Sequence, residues 1–198
     1  MSPEGEPNPL VETTLASKVV WEGEFLRVMQ DRVRCGDGHI ANREYLRHPG
    51  AVMIIPLLDN GEVVLERQFR YPMGRVMTEF PAGKIDPNEA PLACAQRELR
   101  EETGYTAAEW THLGGFHNAI AYSDERIEVY LARGLSVGPA AVDRGELLEV
   151  FTMPWQEVVK SVRAGVITDV KTIVGAHWLE DCLLARQTTA PESKPATD

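Results

Sequence analysis

The chain has 198 residues, of which 43% are apolar and 25% charged, and its formal net charge is −10. This length supports one core, or a single domain with an appended piece, and the composition is ordinary for a globular protein. The acidic balance argues against nucleic acid or an anionic membrane as the main partner, because both would repel such a surface.

Neither a membrane anchor nor a disulfide framework is indicated. No segment approaches the roughly 20 apolar residues that span a bilayer, and no basic region followed by an apolar run marks a signal peptide. The cysteines Cys35, Cys94 and Cys182 are few, odd in number and widely spaced. This usage predicts reduced thiols in a cytoplasmic protein.

The first half of the chain is predicted to consist mainly of strands. Residues 1–12 are rich in Pro, Glu and Gly and are expected to form a disordered tail. Apolar residues alternate loosely from Ser17 to Leu46, which indicates two or three strands within residues 13–48. The stretch AVMIIPLLDNGEVVLERQF predicts a hairpin, because Asn60-Gly61 suits a tight turn. Further strand candidates are Val76–Phe80, Thr111–Phe116, Ile127–Leu131 and Leu147–Met153.

Three helices are predicted among and after these strands. The first follows Pro91 and ends at Gly104, since Pro suits the first helical position and Gly a left-handed C-terminal one. A second begins near Pro154, and a third runs from about Thr168 to Ala185. Residues 187–198 are expected to form a second disordered tail. The order of elements predicts a mixed sheet with helices packed on it.

The first helix concentrates acid at the end where its dipole least favours it. Glu98, Glu101 and Glu102 fall within about 100° of arc at about 3.6 residues per turn. One interpretation is a solvated charged face with an Arg97–Glu101 pair. The other is a divalent cation site, for which carboxylate oxygens suit Mg²⁺ or Mn²⁺.

The spacing of residues 83–105, here called the box segment, decides between these interpretations. Gly83 is followed after five residues by Glu89 and after seven more by Arg97-Glu98-Leu99. Glu101-Glu102 and then Gly104 with an aromatic residue complete the pattern. A chance match at a given start has a probability on the order of 10⁻⁹ to 10⁻⁸. The pattern resembles the signature of the Nudix hydrolases.

This resemblance implies an α/β/α sandwich over residues 49–186, with a mixed central sheet and flanking helices, preceded by antiparallel N-terminal strands. It implies hydrolysis of a nucleoside diphosphate linked to another moiety, with Mg²⁺ as cofactor and Mn²⁺ as a substitute. By the same resemblance, the metal ligands are Glu98, Glu102 and the Ala82 carbonyl, with Glu101 as a further ligand or its support. Arg97 would orient the glutamates and Glu89 would hold the loop. Gly83 and Gly104 are the structural glycines of the box segment.

The flanking segments "RQFRYP", "TEFPAGKID" and "SDERIEVYLARGL" resemble the branch that hydrolyses ADP-ribose and other nucleoside diphosphate sugars. The implied reaction converts ADP-ribose to AMP and ribose 5-phosphate. In dimeric relatives the N-terminal strands contribute to the base pocket, so the resemblance implies a homodimer in which residues 13–48 serve dimerisation and base binding. Substrate contacts are expected from a guanidinium clamp (Arg70 or Arg67), from Glu79 and Arg43, and from Trp21, which either stacks on the base or is a buried strand residue.

The resemblance leaves the catalytic base and the substrate open. "GELLEV" places Glu146 at the position of the base in several ADP-ribose hydrolases, whereas other relatives use a box glutamate such as Glu101. The absence of proline before "SDE" keeps GDP-mannose, UDP-glucose and dinucleoside polyphosphates open as substrates. Arg144, in place of a frequent acid, implies that the loop before Glu146 binds metal differently. A non-catalytic nucleotide sensor is less favoured, because the box segment is intact and no basic helix-turn-helix follows.

Overall fold

The computed structural model describes residues 8–138 and 147–189, which form ten strands and three α-helices. The strands are β1 (Thr13–Glu22), β2 (Arg27–Arg34), β3 (Ile40–Arg47), β4 (Ala51–Pro56), β5 (Glu62–Arg70), β6 (Arg75–Glu79), β7 (Ala82–Lys84), β8 (Tyr105–His117), β9 (Arg126–Val137) and β10 (Leu148–Pro154). The helices are α1 (Pro91–Thr103), α2 (Trp155–Arg163) and α3 (Val170–Thr189). The chain divides into an N-terminal unit of residues 1–50 with 117–126, and a larger unit of residues 51–116 with 127–198.

The N-terminal unit is built on an antiparallel sheet in the order β1-β2-β3. Asp31 and Val33 alternate with exposed residues in β2, so one face of that strand is covered. All ten residues of β1 are exposed, and β1 forms an edge of the sheet. Trp21 in β1 is 56% exposed, so its own chain does not bury it as a core strand residue. Burial at this position depends on what covers the sheet, which local sequence does not specify.

Part of the predicted N-terminal tail makes defined contacts in this unit. The Val11 N–H donates to the Asn8 carbonyl at 3.0 Å, which closes a turn before β1. The next residue, Glu12, accepts a hydrogen bond of 2.9 Å from Arg43 Nε on β3. Residues 8–12 are therefore tied to the sheet through a turn and an ion pair.

The larger unit is an α/β/α sandwich, as predicted. Its four-stranded sheet has the order β7-β4-β9-β8, in which β4 pairs antiparallel with β7 and parallel with β9. All six residues of β4 are buried, because helices cover both faces of the sheet. Met53 and Ile55 pack in a cluster with α2 and α3, whereas Val52 and Ile54 pack with α1. A second sheet has the order β10-β5-β6.

The predicted hairpin is only partly confirmed. Gly61 has a φ of 85° and the Leu58 N–H donates to the Glu62 carbonyl, so the turn forms where expected. Beyond one bridge, Leu57 to Val63, the two strands separate into different sheets. The apolar sequence of β4 favours a central position with a strand on each side, and β7 and β9 occupy those positions.

The helices begin close to their predicted positions. In α1, Pro91 takes the first position and Gly104, with a φ of 74°, donates its N–H to the Arg100 carbonyl. Helix α3 starts at Val170 and continues to Thr189, past the predicted end at Ala185. None of the helices in the described residues is both long and apolar enough to cross a membrane.

Candidate active site

The acidic end of α1 lies directly over the edge strand β7. A Cβ built on Gly83 would be only 1.9 Å from Glu98 Cδ, a distance that real side chains do not show. Glycine at this position therefore gives the Glu98 side chain room to cross the strand. The requirement explains the first fixed residue of the box segment in terms of packing.

Arg97 connects the loop before α1 with the carboxylates of the helix. Its Nε and Nη2 donate to the two oxygens of Glu89, each at 2.9 Å. Its Nη1 donates to Glu98 Oε1 at 2.7 Å and to Glu101 Oε2 at 3.1 Å. Hydrogen bonds from Arg97 lower the pKa of Glu89 to about 2, and those bonds in turn raise the pKa of Arg97.

Glu102 approaches β7 from the same helix. Its side chain is buried, and Oε2 accepts the Ala82 N–H at 3.1 Å. The Ile54 N–H donates to the Pro81 carbonyl, so Ala82, opposite Met53, occupies a non-hydrogen-bonded position of the β4–β7 ladder. Its N–H and carbonyl therefore point away from β4 and toward the open edge, where Glu102 meets them.

The donor chemistry of this site fits a divalent cation. Glu98, Glu101, Glu102 and the Ala82 carbonyl offer hard oxygen ligands around one end of α1. Within residues 8–138 and 147–189, however, no group of three or more His, Cys, Asp or Glu side chains is arranged to hold a metal as it stands. Arg97 engages one oxygen of Glu98 and one oxygen of Glu101, and these bonds set the directions in which the two carboxylates point.

A second charged cluster lies on β5 and β6, just before β7. Arg70 donates from Nε and Nη2 to the two oxygens of Glu79, at 2.7 and 2.8 Å. Glu79 is 1% exposed, and Lys171 of α3 also contacts its Oε2. Burial by itself would raise the pKa of Glu79, but hydrogen bonds from Arg70 and the charge of Lys171 outweigh it and lower the pKa.

The remaining predicted residues lie elsewhere. Arg67 donates to Glu149 Oε1 at 2.7 Å and stacks over Phe151, with Cζ 4.0 Å from the ring centroid. It is thus bound to β10 rather than grouped with Arg70. Arg43 and Trp21 belong to the N-terminal unit. Glu146 lies outside the described residues.

Sequence reasoning missed Lys171 and its neighbour Asp169, whose Oδ2 lies 3.0 Å from Lys171 Nζ. The sequence contained one indication that Lys171 needs an acidic partner. A lysine in the first turn of a helix opposes the helix dipole, so its position there calls for a nearby carboxylate. The partner from β6 could not be read from the sequence, because it depends on how α3 packs.

The site thus consists of a loop and an acidic helix that pack on an edge strand of an α/β/α sandwich. A model of the NUDIX domain family matches residues 47–171. The chain therefore belongs to the Nudix hydrolase family.

Individual relatives agree with this assignment. The chain is 34% identical over 173 residues to the ADP-ribose pyrophosphatase of Bacillus subtilis, covering 86% of this chain and 94% of the relative. It is 38% identical over 152 residues to the ADP-ribose pyrophosphatase of Mycobacterium tuberculosis, covering 76% and 72% respectively. A crystal structure of an ADP compounds hydrolase matches the fold with a TM-score of 0.82 at 22% identity, covering 91% of this chain and 98% of that one.

Proposed function

We propose that this Nudix hydrolase cleaves ADP-ribose to AMP and ribose 5-phosphate. The observation that carries the proposal is the convergence of Glu98 and Glu102 on the edge strand at Gly83 and Ala82, with Glu101 joined to Glu98 through Arg97. The two relatives named ADP-ribose pyrophosphatase support the choice of substrate. Hydrolysis of the diphosphate adds water across the P–O–P bridge and releases two phosphomonoesters.

We assign Mg²⁺ as the cofactor, with Mn²⁺ as a substitute. Glu98, Glu102 and the Ala82 carbonyl would hold it, and Glu101 would serve as a further ligand or as their support. A bound divalent cation neutralises diphosphate charge and lowers the pKa of a bound water. Arg97 fixes the directions of Glu98 and Glu101, and Glu89 fixes Arg97 in turn.

The other residues bind the substrate and accept the proton. The outward edge of the Arg70 guanidinium engages the diphosphate, with Glu79 supporting it from behind. The oxygen of a water attacks one phosphorus as the bond from that phosphorus to the bridging oxygen breaks. The proton of the attacking water passes to Glu146 or, in the alternative, to Glu101.

A substrate panel tests the function. ADP-ribose, GDP-mannose, UDP-glucose and a dinucleoside polyphosphate are compared by kcat/KM with Mg²⁺, and the products are identified. We expect the highest kcat/KM for ADP-ribose, with AMP and ribose 5-phosphate as products. Turnover of the other nucleotides alone would refute ADP-ribose as the substrate. Binding without any turnover would favour the nucleotide sensor.

Three variants accompany the panel. Glu102→Gln should abolish turnover while its thermal melt stays close to wild type, because the carboxylate is needed for the cation. Glu146→Gln tests the first candidate base, whose loss should lower kcat by at least about 100-fold at saturating Mg²⁺. Glu101→Gln is compared at several Mg²⁺ concentrations, because excess Mg²⁺ should restore turnover if the residue is a metal ligand and should not if it is the base. Near-wild-type turnover in Glu146→Gln would remove that residue as the base.

The assembly and location belong to the same proposal. We propose a homodimer in which residues 13–48 serve dimerisation and base binding, with Trp21 stacking on the base and Arg43 reaching a phosphate. The exposed edge strand β1 supports this, since Leu15, Val19, Val20 and Trp21 are all exposed there. A cytoplasmic location is supported by the cysteines at 35, 94 and 182, which are all free thiols.

A further inference from the structure

We propose that Lys171 is a positioning residue for diphosphate binding: it holds the Glu79 carboxylate so that Arg70 presents the outward edge of its guanidinium to the substrate. The inference rests on the proposed function, because it concerns the same diphosphate. It assigns a role to a residue of α3 that lies outside the box segment.

Lys171 is fixed between two carboxylates at the start of α3. Its Nζ contacts Glu79 Oε2 and lies 3.0 Å from Asp169 Oδ2, and its side chain is 13% exposed. Asp169 accepts the Thr172 N–H at 3.0 Å and the Thr172 hydroxyl at 2.6 Å. The Phe80 N–H donates to Thr172 Oγ1 at 3.0 Å, next to Glu79 in the chain. The first turn of α3 is therefore tied to the segment that carries Glu79.

The position is costly for a lysine. A positive charge in the first turn opposes the helix dipole, and removing an ammonium from water carries a desolvation penalty. Glu79 and Asp169 compensate for these costs, but an apolar side chain would avoid them. The charge of Lys171 therefore acts on its neighbours rather than on the stability of the helix.

Arg70 is the neighbour on which Lys171 acts, through Glu79. Its Nε and one Nη2 proton bind Glu79, whereas Nη1 makes no hydrogen bond to any residue in the described part of the chain. The Arg70 side chain is 39% exposed, so this outward edge is accessible to a ligand. Two parallel N–H groups in a fixed plane match the geometry of a phosphate.

Charge balance explains why a lysine is needed beside Glu79. Arg70 and Glu79 alone cancel, whereas Asp169 and the buried Glu66, which lies opposite Glu79 in the sheet, add negative charge that repels a diphosphate. Lys171 offsets part of this excess and restrains the second oxygen of Glu79. The charge of Arg70 thus remains available to the substrate.

The test compares Lys171→Met with Lys171→Arg, and with Lys160→Met as a matched control. Lys160 also pairs with a carboxylate on its own helix, Glu157 at 3.3 Å, but its side chain is 74% exposed. With ADP-ribose and Mg²⁺, we expect KM of Lys171→Met to rise about tenfold, with kcat within about twofold of wild type. Lys171→Arg should restore KM to within about threefold, and Lys160→Met should match wild type.

A double variant distinguishes positioning from general support of the fold. In an Arg70→Met background, Lys171→Met should raise KM no further, because the group it positions is absent. Thermal melts accompany each variant. If Lys171→Met does not fold, Lys171→Gln replaces it, because the shorter, neutral amide removes the charge beside Glu79, and a rise in KM is again expected.

The outcomes separate the two proposals. Wild-type turnover of ADP-ribose with an unchanged KM in a folded Lys171 variant, or additive effects in the double variant, overturns the positioning role alone. A wild-type protein that hydrolyses no diphosphate overturns the proposed function, and the positioning role with it.

Discussion

Arg97 compensates much of the negative charge at the C-terminal end of α1. Three carboxylates near the negative end of a helix repel one another and oppose its dipole. The Arg97 guanidinium spans Glu89, Glu98 and Glu101 with all three of its nitrogens, so the repulsion is reduced before any ligand binds. The same bonds fix the directions in which Glu98 and Glu101 point. Arg97 is therefore a structural requirement of the segment as well as an orienting group.

Gly83→Ala separates activity from stability at this site. The added Cβ collides with the far end of Glu98, a flexible side chain that can move away. We expect the free energy of unfolding to change by less than about 1 kcal/mol, whereas kcat/KM falls about 100-fold because Glu98 is displaced. Urea denaturation and steady-state kinetics measure the two effects. Glu98→Gln is the comparison variant, and an active Gly83→Ala protein would show that Glu98 tolerates displacement.

Glu89 predicts a defined pH dependence of stability. Its pKa is lowered from 4.5 to about 2 in the folded state, so its contribution is complete above about pH 4.5 and is lost as pH falls toward 2. We expect Glu89→Gln to be less stable by about 1–3 kcal/mol at pH 7. Denaturant titrations between pH 7 and the lowest pH at which both proteins fold should show a shrinking difference below about pH 4.5. A difference that stays constant with pH would contradict this assignment.

Residue spacing identified the acidic helix, because α1 is a local structure whose geometry follows from the sequence between Pro91 and Gly104. Lys171 was missed for the opposite reason. Its partner Glu79 lies on another element, and the pair exists only because α3 packs beside the end of β6. Whether Arg67 or Arg70 reaches Glu79 also depends on strand pairing. The pairing places Glu66 opposite Glu79, and because alternate residues of a strand share a face, Arg70 lies on the same face as Glu79 and Arg67 does not.

At the scale of elements, the start of α3 and the β6–β7 segment form one connected structure. Thr172 is fully buried and its hydroxyl accepts from the Phe80 N–H while donating to Asp169. Phe80 lies between β6 and β7 and Asp169 lies just before α3, so the hydroxyl links the start of α3 to the segment between these strands. Met53 and Phe80 also lie close to Gly175, one turn further along α3, so α3 packs closely on this part of the sheet.

Thr172→Val tests this junction. Valine has nearly the same shape but leaves the buried Phe80 N–H without its acceptor, so we expect a loss of about 1–3 kcal/mol in the free energy of unfolding. The control is Thr152→Val, whose exposed hydroxyl donates to Glu62 at 2.9 Å. That change should stay within about 0.5 kcal/mol. Equal effects in the two variants, measured by urea denaturation, would show that the buried bridge contributes nothing special.

Elements were easier to predict than their pairing. The turn at Gly61 follows from local chemistry, and it forms as expected. That β4 and β5 then enter different sheets reflects competition between partners: β4 gains two neighbours in β7 and β9, and β5 gains β10 and β6. Such competition is decided by the whole arrangement of strands, so the sequence of the turn carries no information about it.

At the scale of the whole molecule, the N-terminal unit presents exposed apolar residues on β1. The sequence allowed two roles for Trp21, a buried strand residue or a residue that stacks on the base. Its exposure in a single chain is compatible with the proposed homodimer, in which a second copy would contact this surface. The sequence could not distinguish these cases, because burial by a partner leaves the same apolar pattern as burial within one chain.

Val19→Glu tests the homodimer. Val19 is 47% exposed on the edge strand β1, and a buried carboxylate at an interface is unfavourable. We expect sedimentation velocity to show a dimer for wild type and a monomer for Val19→Glu at the same concentration. Val166→Glu, at a position in the larger unit that is 76% exposed, should remain dimeric. A monomeric wild type would refute the proposed assembly.

The parallel pairing of β4 with β9 has a consequence for biosynthesis. Ala51 lies opposite Ile127, and the entire segment that carries the acidic helix falls between these two strands in the chain. A nascent chain that has emerged from the ribosome only as far as β8 cannot yet complete the sheet against which α1 packs. The catalytic segment thus matures late in translation, and truncated products that stop before β9 should be inactive and exposed to proteases.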